Sequence, residues 1–131
     1  MDSDGVALLE AGIAAYNRGD FDEALRHFTE DVVWNAPPDF LDVGRIEGHE
    51  GLRSLWEMGA RIFGEVALEP GDYREGNACF YCRIRFSGQA GGGMQVSQNA
   101  FAVVRTDGRL IHQMDYFRTS EEALKSAGLS A

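Results

Sequence analysis

Two observations predict an α+β protein with helices on one face of a curved, mainly antiparallel sheet. Apolar residues recur at helical spacing only in the first half of the chain, and alternate with period two only from Glu65 onward. The second half is also punctuated by turn sequences, a glycine-rich run at Gly88 to Gly93 and Thr106-Asp107-Gly108, which join its strands as hairpins. Three helices gather at the N-terminus, and no repeat or linker interrupts the 131 residues, so one domain is expected over 1–131.

Val6, Leu9, Ile13 and Tyr16 lie on one stripe of a first helix, which Gly19 should stop in a left-handed conformation. Asp20 caps a second helix and Glu23 completes a capping box. Asp31 to Asn35 forms a short strand that Pro37 and Pro38 end. The following loop, Pro37 to Gly48, carries Phe40, Leu41, Val43 and Ile46, enough apolar surface to fold over a pocket. A third helix spans about His49 to Phe63, with Leu52, Leu55 and Trp56 on its buried side. Four strands follow: Val66 to Tyr73, broken by Pro70-Gly71; Ala78 to Ser87; Gln95 to Arg105; and Arg109 to Phe117. Ser120 caps a last short helix that Gly128 ends.

Composition excludes some functions. A formal net charge of −9 argues against nucleic acid, because phosphate binding needs a basic face. No stretch approaches a membrane span, and the acidic N-terminus lacks the features of a signal peptide, so a cytoplasmic protein with no membrane partner is expected. Cys79 and Cys82 form a C-x-x-C spacing, but they lie in a strand, where residues three apart point to opposite faces. With His27, His49 and His112 scattered, no metal or other cofactor is expected.

The last strand carries the candidate chemistry. Ile111, Gln113, Asp115 and Phe117 share one face; Leu110, His112, Met114 and Tyr116 share the other. Alternation alone leaves open which face is inward. In the second strand of the meander, Phe80, Cys82, Ile84 and Phe86 oppose Cys79, Tyr81, Arg83 and Arg85, with the same ambiguity.

The segments AAYNRGDFDEALRHFTEDVVWNAP, EGHEGLRSLW and RTDGRLIHQMDYF resemble the nuclear transport factor 2-like superfamily and, within it, the SnoaL-like polyketide cyclases. The resemblance implies a cone of curved sheet closed by helices around a pocket. It also implies that Asp115 points inward as an acid/base group, with Asn35, Tyr16 and Arg83 as hydrogen-bond donors around it. Trp34, Phe40, Trp56, Arg85, Gln98 and Gln113 would line the same pocket, together with Ala100 and Ala102. The expected ligand is a small apolar or polyketide-like molecule, and the expected reaction an aldol-type cyclisation or an isomerisation on a carbonyl. A non-catalytic ligand-binding or dimerisation module is the alternative.

Two related chemistries fit less well. Steroid isomerases need acids where this chain has Ala36 and about Ala102. Limonene epoxide hydrolases share the positions of Asn35, Arg83 and Asp115, but their tyrosine and second acid are replaced by Val33 and Arg85. With Asp115 inward, Phe101, Val103, Met114 and Tyr116 form a convex face that a homodimer would cover. Two other possibilities remain at this point: Asp115 forms a structural ion pair with Arg83, or the sheet is reversed, with Phe80, Cys82, Ile84 and Phe86 inward.

Overall fold

A computed structural model describes residues 3–36, 44–64, 66–89 and 95–130 of the chain. The elements are α1 (Ser3–Asn17), α2 (Phe21–Leu25), β1 (Phe28–Asn35), β2 (Arg45–Glu47), α3 (Gly48–Phe63), β3 (Ala67–Glu75), β4 (Phe80–Gln89), β5 (Gln95–Thr106), β6 (Ile111–Phe117) and α4 (Ser120–Ser126). The strands form one six-stranded sheet in the order β2-β1-β6-β5-β4-β3. β1 runs parallel to β6, and every other pairing is antiparallel. The sheet is curved and unclosed, in an α+β architecture. Strand β2, inside the segment expected to be loop, extends the edge beside β1. Phe40 and the other residues from 37 to 43 lie outside the described residues, as does the turn between β4 and β5.

Local chemistry explains the boundaries. Gly19 has φ of 79° and ends α1 as expected. The Asp20 side chain accepts from Glu23 N at 3.1 Å, whereas the Glu23 carboxylate pairs with Arg26, so only half of the capping box forms. At α4 the cap is Thr119, one residue earlier than expected, accepting from Glu122 N at 3.1 Å. Asp107 Oδ1 accepts from Arg109 N and Leu110 N, and Gly108 takes φ of 93°, building the β5–β6 turn. Pro70-Gly71 does not break β3. A register shift follows it, with Asp72 at φ of 54°.

Register decides which side of each strand is inward. Cys82 pairs with Ala102, which pairs with Tyr116; Phe80 pairs with Val104, which pairs with Met114. These residues, with Ile84, Ala100 and Trp34, meet Leu9, Ile13, Leu52 and Leu55 of α1 and α3 in the main core. The opposite face pairs Tyr81 with Val103 and Val103 with Asp115, then Arg83 with Phe101 and Phe101 with Phe117. There α4 lays Ala123, Leu124 and Ala127 over Cys79, Tyr81 and Val103.

The expected inward turn of Asp115, Gln113 and Arg83 is therefore corrected. Ala100 and Ala102 face the helices as expected, but the cross-strand partner of Ala102 on β6 is Tyr116, not Asp115. The reversed sheet is the one observed. Its physical reason is burial: Trp34, Phe80, Ile84, Met114 and Tyr116 go under the helices, where an aspartate, a glutamine and an arginine would be desolvated. Ile111 also departs from alternation. A register shift between Arg105 and Thr106 turns it into the main core beside Phe28. Cys79 and Cys82 are buried free thiols in different clusters, on opposite faces.

Candidate functional site

The sheet separates two candidate sites. On the helix side a cavity of about 30 Å³ lies between α1, α3 and the sheet. Its floor is made of buried side chains, among them Leu9, Phe28, Trp34, Ile84, Met114 and Tyr116. Its rim is half-buried: Tyr16 from the end of α1, Trp56 from the middle of α3, and Leu68 from β3. The Tyr16 ring lies 5.4 Å from Phe21 and 5.4 Å from Trp56, so aromatic contacts knit the rim to α2.

Two hydroxyls are the polar features of this cavity. The Trp34 indole donates to the Tyr116 hydroxyl, and the two rings sit 4.9 Å apart. Burial raises the pKa of Tyr116 and of Tyr16, so both phenols stay protonated. No carboxylate lines this cavity among the described residues.

On the other face, Asp115 and Asn35 are partners across the parallel β1–β6 pair. Asn35 Nδ2 donates to Asp115 Oδ1 at 2.8 Å, and Gln113 Nε2 donates to both carboxylate oxygens at 3.0 and 2.9 Å. The half-buried carboxylate faces an open depression of about 510 Å³, bounded by Ala36, Phe117, Arg118 and Glu122. Arg83 is not its ion-pair partner. Its Nε bonds Asp72 Oδ2 at 3.0 Å across the β3 register shift.

The expected catalytic set is thus divided. Asn35, Asp115 and Gln113 come together; Tyr16, Trp34 and Trp56 come together behind the sheet. Arg83 is tied to Asp72, and Arg85 is exposed and donates to Ser97 Oγ at 2.9 Å. Gln98 is exposed beyond the inward-facing Ala100 and Ala102. The cavity-lining residue expected on the outer face is Tyr116, which its register with Ala102 turns inward. Among the described residues no group of three His, Cys, Asp or Glu side chains could hold a metal ion. Among the described residues no helix is long and apolar enough to cross a membrane.

Comparison with known proteins gives a consistent family. Residues 9–113 match the family described as SnoaL-like domain. No curated protein matches the chain. Among solved structures, TerC co-crystallised with polyporic acid is 15% identical, over 94% of this chain and 96% of that one, with a TM-score of 0.78. An NTF2-like protein of unknown function from Burkholderia pseudomallei K96243 is 16% identical, over 94% and 96%, with a TM-score of 0.75. A proposed polyketide cyclase from Xanthomonas campestris pv. campestris is 18% identical, over 90% and 92%, with a TM-score of 0.67. At such identities the likeness establishes the fold.

Proposed function

The chain belongs to the SnoaL-like domain family, with the nuclear transport factor 2-like fold, and on that premise we propose that it binds a small, mainly apolar molecule between helices and sheet without acid/base turnover there. One observation carries this reading. The helix-side cavity offers aromatic walls and the Tyr16 phenol at its rim, while Asp115, the group expected to act as base, faces away on the other side of the sheet. A proton cannot be taken by a carboxylate that the substrate does not reach. TerC, of the same fold, was crystallised with polyporic acid, which supports a small organic ligand. The ligand this reading calls for is flat and conjugated, with a carbonyl oxygen to accept from Tyr16, and the cavity must widen to take it.

The chain has two tryptophans, Trp34 and Trp56, and both line the cavity. Binding of a conjugated carbonyl compound is therefore expected to quench the intrinsic fluorescence saturably and raise the melting temperature. Tyr16→Phe should weaken binding about tenfold or less, the loss of one hydrogen bond. The compound should be recovered unchanged after long incubation. Turnover that disappears in Asp115→Asn would overturn this reading and favour a second, in which Asp115 acts as a base toward the outer depression. That second reading is supported by the way two amide side chains orient a half-buried carboxylate beside open space. Neither reading requires a cofactor.

We also propose a homodimer through the outer face of the sheet. It is supported by half-buried Phe101 and Phe117, which pack at the margin of the cluster under α4.

A further inference from the structure

A cavity of about 30 Å³ holds a water or two, not an organic ligand. If the cavity is the ligand site, as proposed above, part of its wall must move, and the structure distinguishes which part. Of the three half-buried rim residues, Tyr16 and Leu68 stand on backbone segments that are tied to one another. Asn17, the residue after Tyr16, donates through Nδ2 to Leu68 O and accepts through Oδ1 from Leu68 N, both at 2.9 Å. These two bonds clamp the end of α1 to β3, so that side of the rim moves only as a unit with the sheet.

Among the described residues Trp56 has no such clamp. It is held by ring contacts with Tyr16 at 5.4 Å, Phe21 at 5.5 Å and Phe28 at 6.1 Å. The polar tie of α3 to α2, Arg53 to Asp22, lies one turn earlier. Beyond Trp56, Met58 packs at the edge of the core, while Gly59 has open space around its Cα and Ile62 is 55% exposed. Non-directional contacts re-form after a displacement, whereas a two-bond clamp must break both bonds.

We propose that Trp56 is the door of the cavity: its ring swings out to admit the ligand, and its size sets what the pocket takes at rest. Neither the Tyr16 side nor the sheet need move. The consequence is kinetic. Association in the wild-type protein is limited by the swing of the ring, and removal of the ring leaves a standing pocket.

The test uses 2-acetylnaphthalene, a flat conjugated ketone, and stopped-flow fluorescence of the tryptophans, with Trp34 as reporter in Trp56→Ala. In the wild-type chain the observed rate should reach a plateau as 2-acetylnaphthalene is raised. In Trp56→Ala it should stay linear and be at least tenfold faster, and indole should restore part of the lost melting temperature by filling the vacated space. Equal rates in both proteins would overturn the proposal, as would binding by only one of the two folded proteins. Binding by neither would sink the ligand-binding reading, and the door with it. Should Trp56→Ala not fold, Trp56→Phe serves: a threefold or greater acceleration supports the door, and an unchanged rate overturns it.

Discussion

Cys82 illustrates what one residue's depth does to its chemistry. It is fully buried between Ala102 and the helices, and desolvation pushes its thiol from 9.0 up to about 12. The sign of the linkage follows. The unfolded chain releases this proton first, so the stability contributed by the neutral thiol is complete below about pH 9 and is lost as pH rises toward about 12. Tyr16 and Tyr116 act in the same direction, but from an ordinary value of 10.0. Urea midpoints measured between pH 8 and 10 should therefore fall in the wild-type protein and fall less in Cys82→Ala. An unchanged slope in the variant would assign the loss to another group. Asp115 is the contrasting residue. Its identity is readable in the sequence, and the family resemblance implies its neighbour Asn35, but its direction is not readable, because Tyr116 and Phe117 give both faces of β6 an aromatic ring.

Among the elements, the edge strand β3 shows how side chains substitute for a missing strand. Asn17 presents an amide to Leu68 as a neighbouring peptide would, capping one exposed stretch of the edge with two bonds. Nearby Tyr73 donates to Glu10 Oε2 at 3.1 Å, a second tie between α1 and β3. Asn17→Ala removes both amide bonds at a solvent-exposed site. The expected cost is about 1–2 kcal/mol, or roughly 4–7 °C in melting temperature. A variant within experimental error of the parent would show that water replaces the clamp fully. In that case the Tyr16 side of the rim would be as free as Trp56.

The elements also separate what was legible from what was not. α1 and α3, the hairpin at Asp107-Gly108 and the meander of β3 to β6 follow from periodicity and turn chemistry close in sequence. β2 does not, because three residues carry no periodic signal, and it exists through its pairing with β1. The parallel β1–β6 pair joins residues about 80 apart, such as Asn35 and Asp115, and no local pattern announces it.

At the scale of the whole molecule, the sheet is covered by α1 and α3 on one side and only partly by α4 on the other. The proposed dimer would complete that cover. Sedimentation velocity should find the wild-type chain as a dimer, and Phe101→Glu, which sets a charge where the two copies would meet, should shift it to monomer. A wild-type monomer at all concentrations would end the proposal. The resemblance to the family was specific for the fold, and the match over residues 9–113 agrees with it.

By itself the sequence determined the α+β class, the order of the elements and the set of polar residues available for chemistry, since spacing and turn residues act over a few positions. Only the tertiary structure decided that Asp115 and Tyr16 stand on opposite sides of the sheet. Alternation defines two faces without naming the inner one, and a shift of one residue exchanges them. The choice was made by cross-strand register and by the apolar area that Trp34, Met114 and Tyr116 bury together under α1 and α3.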